Sequence, residues 1–184
     1  MLALHCCTFY PSLVFGAARK LDNEQDLYDY ALRILMRRAH SVHEMKKKLL
    51  RRADSDLLAQ VVLARLKEGG KLDDARYAKQ FTRTRTEVRK QGKYRIARDL
   101  RARGVPDRHI NEAIAEAAES TDEAAIVRQR IERELRSFRG EISDKKFASI
   151  YRSLLAAGFP ADVIRRELKS LTREEVPEVE PADE

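Results

Sequence analysis

The stretch IARDLRARG at Ile96–Gly104 decides the fold, because the chain repeats its pattern three times. The pattern is an apolar residue, three residues, Leu, three more residues, and then Ala or Gly. It also occurs at Met45–Ala53 and at Ile150–Gly158, and in the last two copies a proline follows, Pro106 or Pro160. The final positions are 51 and 54 residues apart. Such a period predicts a repeat array, in which each unit buries its apolar face against its neighbours.

The composition points to an all-α protein. Charged residues make up 36% of the 184 residues, while the chain has only 7 Gly and 5 Pro. Apolar residues recur at helical spacing throughout, and they form three successive groups of three helices. We therefore expect one elongated array, with the first repeat at residues 24–72, the second at 73–120 and the third at 121–172. Residues 1–23 are expected to be a disordered N-terminal extension and residues 173–184 an acidic disordered tail.

Start and stop signals place the helix boundaries. Ser41 followed by Glu44 predicts a capping box at the start of the second helix, and Gly69-Gly70 predicts the end of the third. Pro106 is predicted at the first position of the sixth helix. Val88 is predicted to face inward from the fourth helix, together with Tyr77 and Phe81.

The sequence shows no combination of residues that would support catalysis or hold a metal or cofactor. Cys6-Cys7 are adjacent, which excludes a disulfide framework and favours reduced thiols in a cytoplasmic protein. His40 and His43 lack nearby cysteines, so we interpret them as exposed polar residues rather than zinc ligands. No segment is apolar enough to span a membrane. The apolar N-terminal stretch is a poor signal peptide, although a removed targeting segment stays an alternative.

The basic residues give a stronger functional signal. The whole chain has a net charge of +7, whereas residues 75–108 contain twelve basic and three acidic residues, a net charge of +9. On a helix, the cations fall on a different side from the apolar residues, so the second repeat should turn a basic face outward. Such a face is typical of a site for a polyanion. The candidate binding residues are Arg76, Lys79, Arg83, Arg85, Arg89, Lys90, Lys93, Arg95, Arg98 and Arg101.

Two stretches resemble the RecX family. The first is ALRIL at Ala31–Leu35 with SVHEMKKKL at Ser41–Leu49, and the second is KLDDARYA at Lys71–Ala78 with GKYRIARDL at Gly92–Leu100. Leu-Asp-Asp before an aromatic residue, followed downstream by Gly, Arg-Ile and Leu, is specific as a combination. The resemblance covers roughly residues 25–172.

This resemblance implies three tandem three-helix units in a curved array, and a monomeric, non-enzymatic regulator of the RecA recombinase. Family members lodge in the groove of the RecA–single-stranded-DNA filament and inhibit its ATPase, strand-exchange and co-protease activities, which modulates recombination and DNA repair. The family has no catalytic residues or cofactor to carry over, and single-stranded DNA would be met through the filament or directly. The alternative from the residues themselves is a helical-repeat protein that binds nucleic acid on its own.

Overall fold

The structure is a computed structural model that describes residues 20–138 and 143–174. Within these ranges the regular secondary structure consists of α-helices, and the only β pairing is one isolated bridge. The helices are α1 Glu24–Arg37, α2 Val42–Arg52, α3 Asp56–Glu68, α4 Asp74–Glu87, α5 Lys93–Arg101, α6 Asp107–Ser120, α7 Glu123–Arg136, α8 Asp144–Ala156 and α9 Ala161–Glu174. The all-α helical-repeat fold predicted from the sequence is confirmed.

Side-chain caps start most helices where the sequence predicts them. Ser41 accepts a hydrogen bond from the Glu44 backbone N–H, and the Glu44 carboxylate accepts one from the Ser41 backbone N–H, so the capping box is present. Ser55, Asp73 and Asp122 also accept hydrogen bonds from backbone N–H groups in the first turns of α3, α4 and α7. These caps satisfy donors that have no partner inside the helix.

Each group of three helices encloses its own apolar core, as a repeat array requires. The first core contains the fully buried side chains Leu27, Met45, Leu49, Val62 and Leu66. The second contains Tyr77, Ile96, Leu100, Val105 and Ile110. The third contains Val127, Ile131, Ile150, Leu154, Phe159 and Ile164. The middle helix of each group supplies the repeated apolar and Leu positions, which explains why this pattern recurs along the sequence.

The two junctions between repeats have the same arrangement. The turn after the middle helix of one repeat packs on the N-terminus of the middle helix of the preceding repeat. At the first junction, the Ser41 hydroxyl donates to the Arg103 carbonyl oxygen at 2.6 Å, beside Gly104. At the second junction, the Gly92 N–H donates to the Ala157 carbonyl oxygen at 2.9 Å, and the next repeat is thereby joined backbone to backbone.

The final Gly of the pattern is needed at both junctions. Gly104 and Gly158 have φ angles of +71° and +91°, which side chains rarely adopt. A Cβ atom on Gly104 would lie 2.5 Å from His43 Cγ, and one on Gly158 would lie 2.3 Å from the Arg95 backbone nitrogen. In the first repeat this position is Ala53, with a φ of −70°.

A short segment before α1 covers the turn after α2. The Leu21 N–H donates to the Arg52 carbonyl oxygen at 2.8 Å, and the Asp54 N–H donates to the Leu21 carbonyl oxygen at 2.8 Å. Residues 20–23 were predicted to belong to a disordered extension, but the structure instead packs Leu21 against the first core. The rest of that extension, residues 1–19, lies outside the described residues, as do residues 175–184 of the predicted tail.

Three local predictions are wrong. His40 was interpreted as an exposed residue but is buried, with 5% of its surface exposed. Val88 was predicted to face inward but is 72% exposed, because α4 ends at Glu87 and the chain turns through Lys90, whose φ is +50°. Pro106 was predicted at the first helical position but is the residue before it. Its carbonyl oxygen accepts from the Ile110 N–H at 3.2 Å, so Pro106 is the N-cap of α6. The predicted helix break at Gly140 lies outside the described residues.

Candidate nucleic-acid and partner interface

Helix α4 divides its cations between two sides. At about 100° per residue, Arg76 and Arg83 project in nearly the same direction, while Arg85 projects away from both. The first side faces α6 of the same repeat, and the second faces the end of α1 in the preceding repeat. The two sides therefore meet different charges.

The side facing α6 forms a groove, named here the α4–α6 groove, in which two of the three cations are ion-paired. Lys79 Nζ lies 2.6 Å from a Glu116 carboxylate oxygen, and this hydrogen bond raises the pKa of Lys79. Arg83 Nε donates to both Glu87 oxygens, at 3.1 and 3.2 Å. Arg76 also lines the groove and donates to the Gly70 carbonyl oxygen at 2.7 Å. Glu87 at the end of α4 and Glu116 of α6 thus offset much of the positive charge that the sequence of α4 places here.

The side facing α1 forms a cleft, named here the interrepeat cleft, that remains basic. Its volume is about 440 Å³. None of its lining residues is acidic, and the four charged ones are all arginines. The lining residues are Arg38, Ala39, Tyr77, Gln80, Phe81, Thr84, Arg85, Arg89 and Arg103. The cleft therefore concentrates positive charge between two repeats.

Phe81 orders two of these arginines. The Arg85 guanidinium carbon lies 4.9 Å from the Phe81 ring centroid, and the Arg103 guanidinium carbon lies 4.8 Å from it. Both distances fit cation–π contacts. The Tyr77 ring lies next to Phe81, with the ring centroids 6.0 Å apart. Arg103 is held further by a 2.6 Å hydrogen bond from Nη1 to the Asp99 carbonyl oxygen. The two guanidinium groups are thus positioned before any ligand binds.

Glu44 ties the edge of the cleft to the capping box of α2. Its carboxylate lies 3.3 Å from Arg38 Nη1 and 4.0 Å from Arg103 Nε. Burial opposes ionisation of Glu44, but the hydrogen bond and charge of Arg38, with the Ser41 N–H, outweigh it and lower the pKa of this carboxyl group. His40 is 5% exposed, and Nδ1 lies 3.3 Å from Glu44. Burial and then the Arg38 charge lower the pKa of His40, so its neutral form is favoured.

The structure does not bring the ten predicted cations together. Lys93 lies 3.5 Å from Glu123, and Arg101 lies 2.7 Å from Asp107. Arg95 donates to the Ala156 carbonyl oxygen at 3.3 Å and so belongs to the second junction. Arg98 is exposed on α5, and Lys90 is exposed in the turn after α4. Only Arg85 and Arg89 of the ten line the interrepeat cleft.

Two arginines of the cleft were missing from the predicted site. Arg103 belongs to the basic stretch but follows the end of α5, so the helical stripe did not include it. Arg38 follows α1, in a different repeat. The available signal was the repeat pattern itself, since the turn after one middle helix meets the start of the preceding one.

Residues 20–138 and 143–174 contain no group of three or more His, Cys, Asp or Glu that could hold a metal ion. His43 is exposed and packs beside Gly104, whereas His40 is buried near Glu44, so the two do not form a pair of ligands. Among the helices described, none is long and apolar enough to cross a membrane.

Comparison with known proteins gives one consistent family. Family models for the first and second three-helix domains of RecX match residues 28–66 and 73–114. The chain is 39% identical over 138 residues to the regulatory protein RecX of Halorhodospira halophila, covering 74% of this chain and 83% of that protein. It is 33% identical over 134 residues to the regulatory protein RecX of Prosthecochloris aestuarii, covering 73% and 85% of the two chains.

Solved structures agree on the fold. The crystal structure of RecX from Lactobacillus salivarius matches with a TM-score of 0.71 and 21% identity, over 82% of this chain and 97% of that one. A second crystal structure, of a regulatory protein RecX, matches with a TM-score of 0.70 and 19% identity, over 79% of this chain and 71% of that one. Together with the two family models and the identity to curated relatives, these matches show that the chain belongs to the RecX family of regulatory proteins.

Proposed function

We propose that this protein is a cytoplasmic, monomeric, non-enzymatic regulator that binds the RecA–single-stranded-DNA filament. In this role it inhibits the ATPase, strand-exchange and co-protease activities of RecA and so modulates recombination and DNA repair. The observation that carries the proposal is its membership of a family whose curated members are named regulatory proteins, RecX. The series of three helical cores supports it, because such an array presents a long surface rather than an enclosed pocket.

The repeat architecture suits a repeating partner. A filament offers the same surface at regular intervals, and two linked contacts gain affinity through effective concentration. The basic interrepeat cleft lies between the first and second repeats, so one part of the array could approach DNA phosphates while other parts contact protein.

A titration of RecA ATPase activity on single-stranded DNA tests this function. We expect turnover to fall when the protein is present at fewer copies than RecA, because one molecule spans more than one filament subunit. An unchanged ATPase rate and unchanged strand exchange at equimolar protein would contradict the proposal.

The second candidate function is direct binding of nucleic acid without RecA. The observation that favours it is the interrepeat cleft, whose four charged lining residues are all arginines. Tight binding of DNA at physiological salt, with no effect on RecA turnover, would support this alternative instead. Its affinity should fall steeply with salt, because phosphate contacts release counterions.

A further inference from the structure

We propose that the interrepeat cleft binds the phosphates of single-stranded nucleic acid through Arg85, Arg89 and Arg103. This inference rests on the proposed function and deepens it. It assigns the DNA contact to one of the two basic surfaces of the second repeat, and excludes the α4–α6 groove from that contact.

The α4–α6 groove and the interrepeat cleft differ in how far their cations are paired with carboxylates. In the α4–α6 groove, Lys79 and Arg83 already lie within ion-pair distance of Glu116 and Glu87. A phosphate would have to displace these carboxylates. In the interrepeat cleft, the Arg89 side chain makes no ion pair within the part of the chain that the structure describes, and Arg85 contacts a ring rather than a carboxylate. The electrostatic attraction for a polyanion is therefore concentrated in the cleft.

Two guanidinium groups of the interrepeat cleft are held in place by an aromatic ring. The guanidinium carbons of Arg85 and Arg103 lie 4.9 and 4.8 Å from the centroid of the Phe81 ring, and this contact orders both side chains. Arginine matches the geometry of a phosphate with two parallel hydrogen bonds. Because the two side chains are already ordered, binding costs less side-chain entropy than it would with freely rotating cations.

The interrepeat cleft is an open groove between the first and second repeats. The cleft has a volume of about 440 Å³ and is lined by arginine, aromatic and polar side chains. The exposed amide of Gln80 adds a polar group at the wall. A flexible single strand can lay its sugar–phosphate backbone along an open, basic groove of this kind.

The lining also favours phosphate over an acidic peptide. All four of its cations are arginines, and none of its lining residues is acidic. Glu44, at the edge of the cleft, lies 3.3 Å from Arg38 and 4.0 Å from Arg103. Arginine-rich surfaces without acidic residues are typical of phosphate contacts in nucleic-acid interfaces.

The experiment compares two double variants of the full chain. R85Q/R89Q removes two charges from the interrepeat cleft, and R76Q/R83Q removes two charges from the α4–α6 groove. Each pair comes from α4 or the turn that follows it, so the loss of net charge is matched. Fluorescence anisotropy with a labelled oligothymidylate, at several salt concentrations and without RecA, measures affinity. Circular dichroism checks that both variants stay helical.

We expect R85Q/R89Q to weaken oligothymidylate binding about tenfold at low salt and to reduce the salt slope by roughly 1.4, the value for two lost phosphate contacts to a single strand. R76Q/R83Q should stay within about twofold of the native chain, since Arg83 is already ion-paired with Glu87 and Arg76 is hydrogen-bonded to the Gly70 carbonyl oxygen. The single variant R89Q should show about half of the change in slope, and because Arg89 is exposed it should leave folding intact.

Equal losses in the two double variants would overturn the inference, because binding would then depend on net charge alone. Absence of oligothymidylate binding by the native chain at low salt would also overturn it. So would competition by polyglutamate as strong as that by unlabelled oligothymidylate, since the cleft would then be a general anion site. These outcomes are separate from the RecA titration. Inhibition of RecA with no oligothymidylate binding would leave the regulator standing and remove only the DNA site.

Discussion

The two junctions between repeats follow the same rule of packing but differ in what they place at the contact. At the first junction, the turn at Gly104 meets the His43 side chain, and the Ser41 hydroxyl makes the hydrogen bond. At the second, the turn at Gly158 meets the backbone of Arg95, and backbone N–H groups of Gly92 and Tyr94 make the hydrogen bonds. The repeat pattern therefore determines where neighbouring repeats contact each other. The first junction is made through side chains, and the basic interrepeat cleft lies beside it.

The surroundings of the junctions differ in the same way. Beside the first lies the arginine-lined interrepeat cleft. Beside the second lies a small cavity whose exposed surface is mostly apolar. Its lining includes Ile96, Ile114, Ile126 and Phe159, together with polar residues and the ion pair of Lys93 and Glu123. The second junction is therefore suited to holding repeats together, and the first to contacting a ligand.

The largest expected effect is from Gly158→Ala. Its Cβ would lie 2.3 Å from the Arg95 backbone nitrogen at a φ of +91°, so the backbone of one repeat must shift. We expect a loss of about 3–5 kcal/mol in the free energy of unfolding, measured by urea denaturation. Gly70→Ala is the control, since Gly70 has a φ of +62° with no atom within 4 Å of an added Cβ. It should cost about 1 kcal/mol from backbone strain alone. Equal losses in both variants would show that the contact with the Arg95 backbone does not contribute to the loss of stability.

Gly104→Ala should have a smaller effect, because the added Cβ would meet a side chain. The clash is with His43 Cγ at 2.5 Å and Cβ at 2.6 Å. We expect a loss of about 2–3 kcal/mol in the free energy of unfolding. The second-site change His43→Ala removes the Cγ contact and should restore part of it. If the double variant is no more stable than Gly104→Ala, the first junction is as rigid as the second.

Ser41→Ala should be milder still. It removes the buried hydroxyl that caps α2 and donates to the Arg103 carbonyl oxygen, and we expect a loss of about 1–2 kcal/mol in thermal or urea unfolding. Ser55→Ala is the matched control, because Ser55 caps α3 but makes only one exposed hydrogen bond, to the Leu58 N–H. It should cost about 0.5–1 kcal/mol. A loss at Ser55 equal to that at Ser41 would mean that the hydrogen bond across the junction adds nothing.

The smallest expected effect is on pH dependence at the first junction. Burial lowers the pKa of His40 below 6.5, so the unfolded chain binds its proton more readily. Stability should therefore decline as pH falls through about 6.5. The pKa of Glu44 is also lowered in the fold, and its contribution is lost as pH falls further through about 4.5. Urea midpoints between pH 8 and 5.5 should fall less in His40→Gln than in the native chain. An identical decline would exclude His40 as its cause.

Most of the fold could be predicted from the sequence, because local signals and long-range packing agree. The capping box at Ser41 and the repeated Leu positions place helices and cores correctly. Val88 was assigned to the wrong face because an apolar residue continued the helical period past the point where α4 ends. Helical spacing gives direction within a helix but not its last turn.

The candidate site was less predictable, because charge balance depends on neighbours that are distant in sequence. The cations of α4 could be counted, but the pairing of Lys79 with Glu116 requires knowing that α6 packs beside α4. That Arg38 and Arg103 both lie beside Glu44 can be predicted only from the geometry of the first junction. The net charge of +9 over residues 75–108 therefore overstates the positive charge of the α4–α6 groove. It also leaves out Arg38, which lines the interrepeat cleft.

We propose that this protein regulates RecA through the interrepeat cleft at its first junction. The most direct test is a titration of RecA ATPase activity on single-stranded DNA with the native chain, R85Q/R89Q and R76Q/R83Q. The account predicts inhibition by the native chain and R76Q/R83Q at fewer copies than RecA, and a shift of the R85Q/R89Q curve to several-fold higher protein. Inhibition of equal strength by all three proteins, or by none of them, would contradict it.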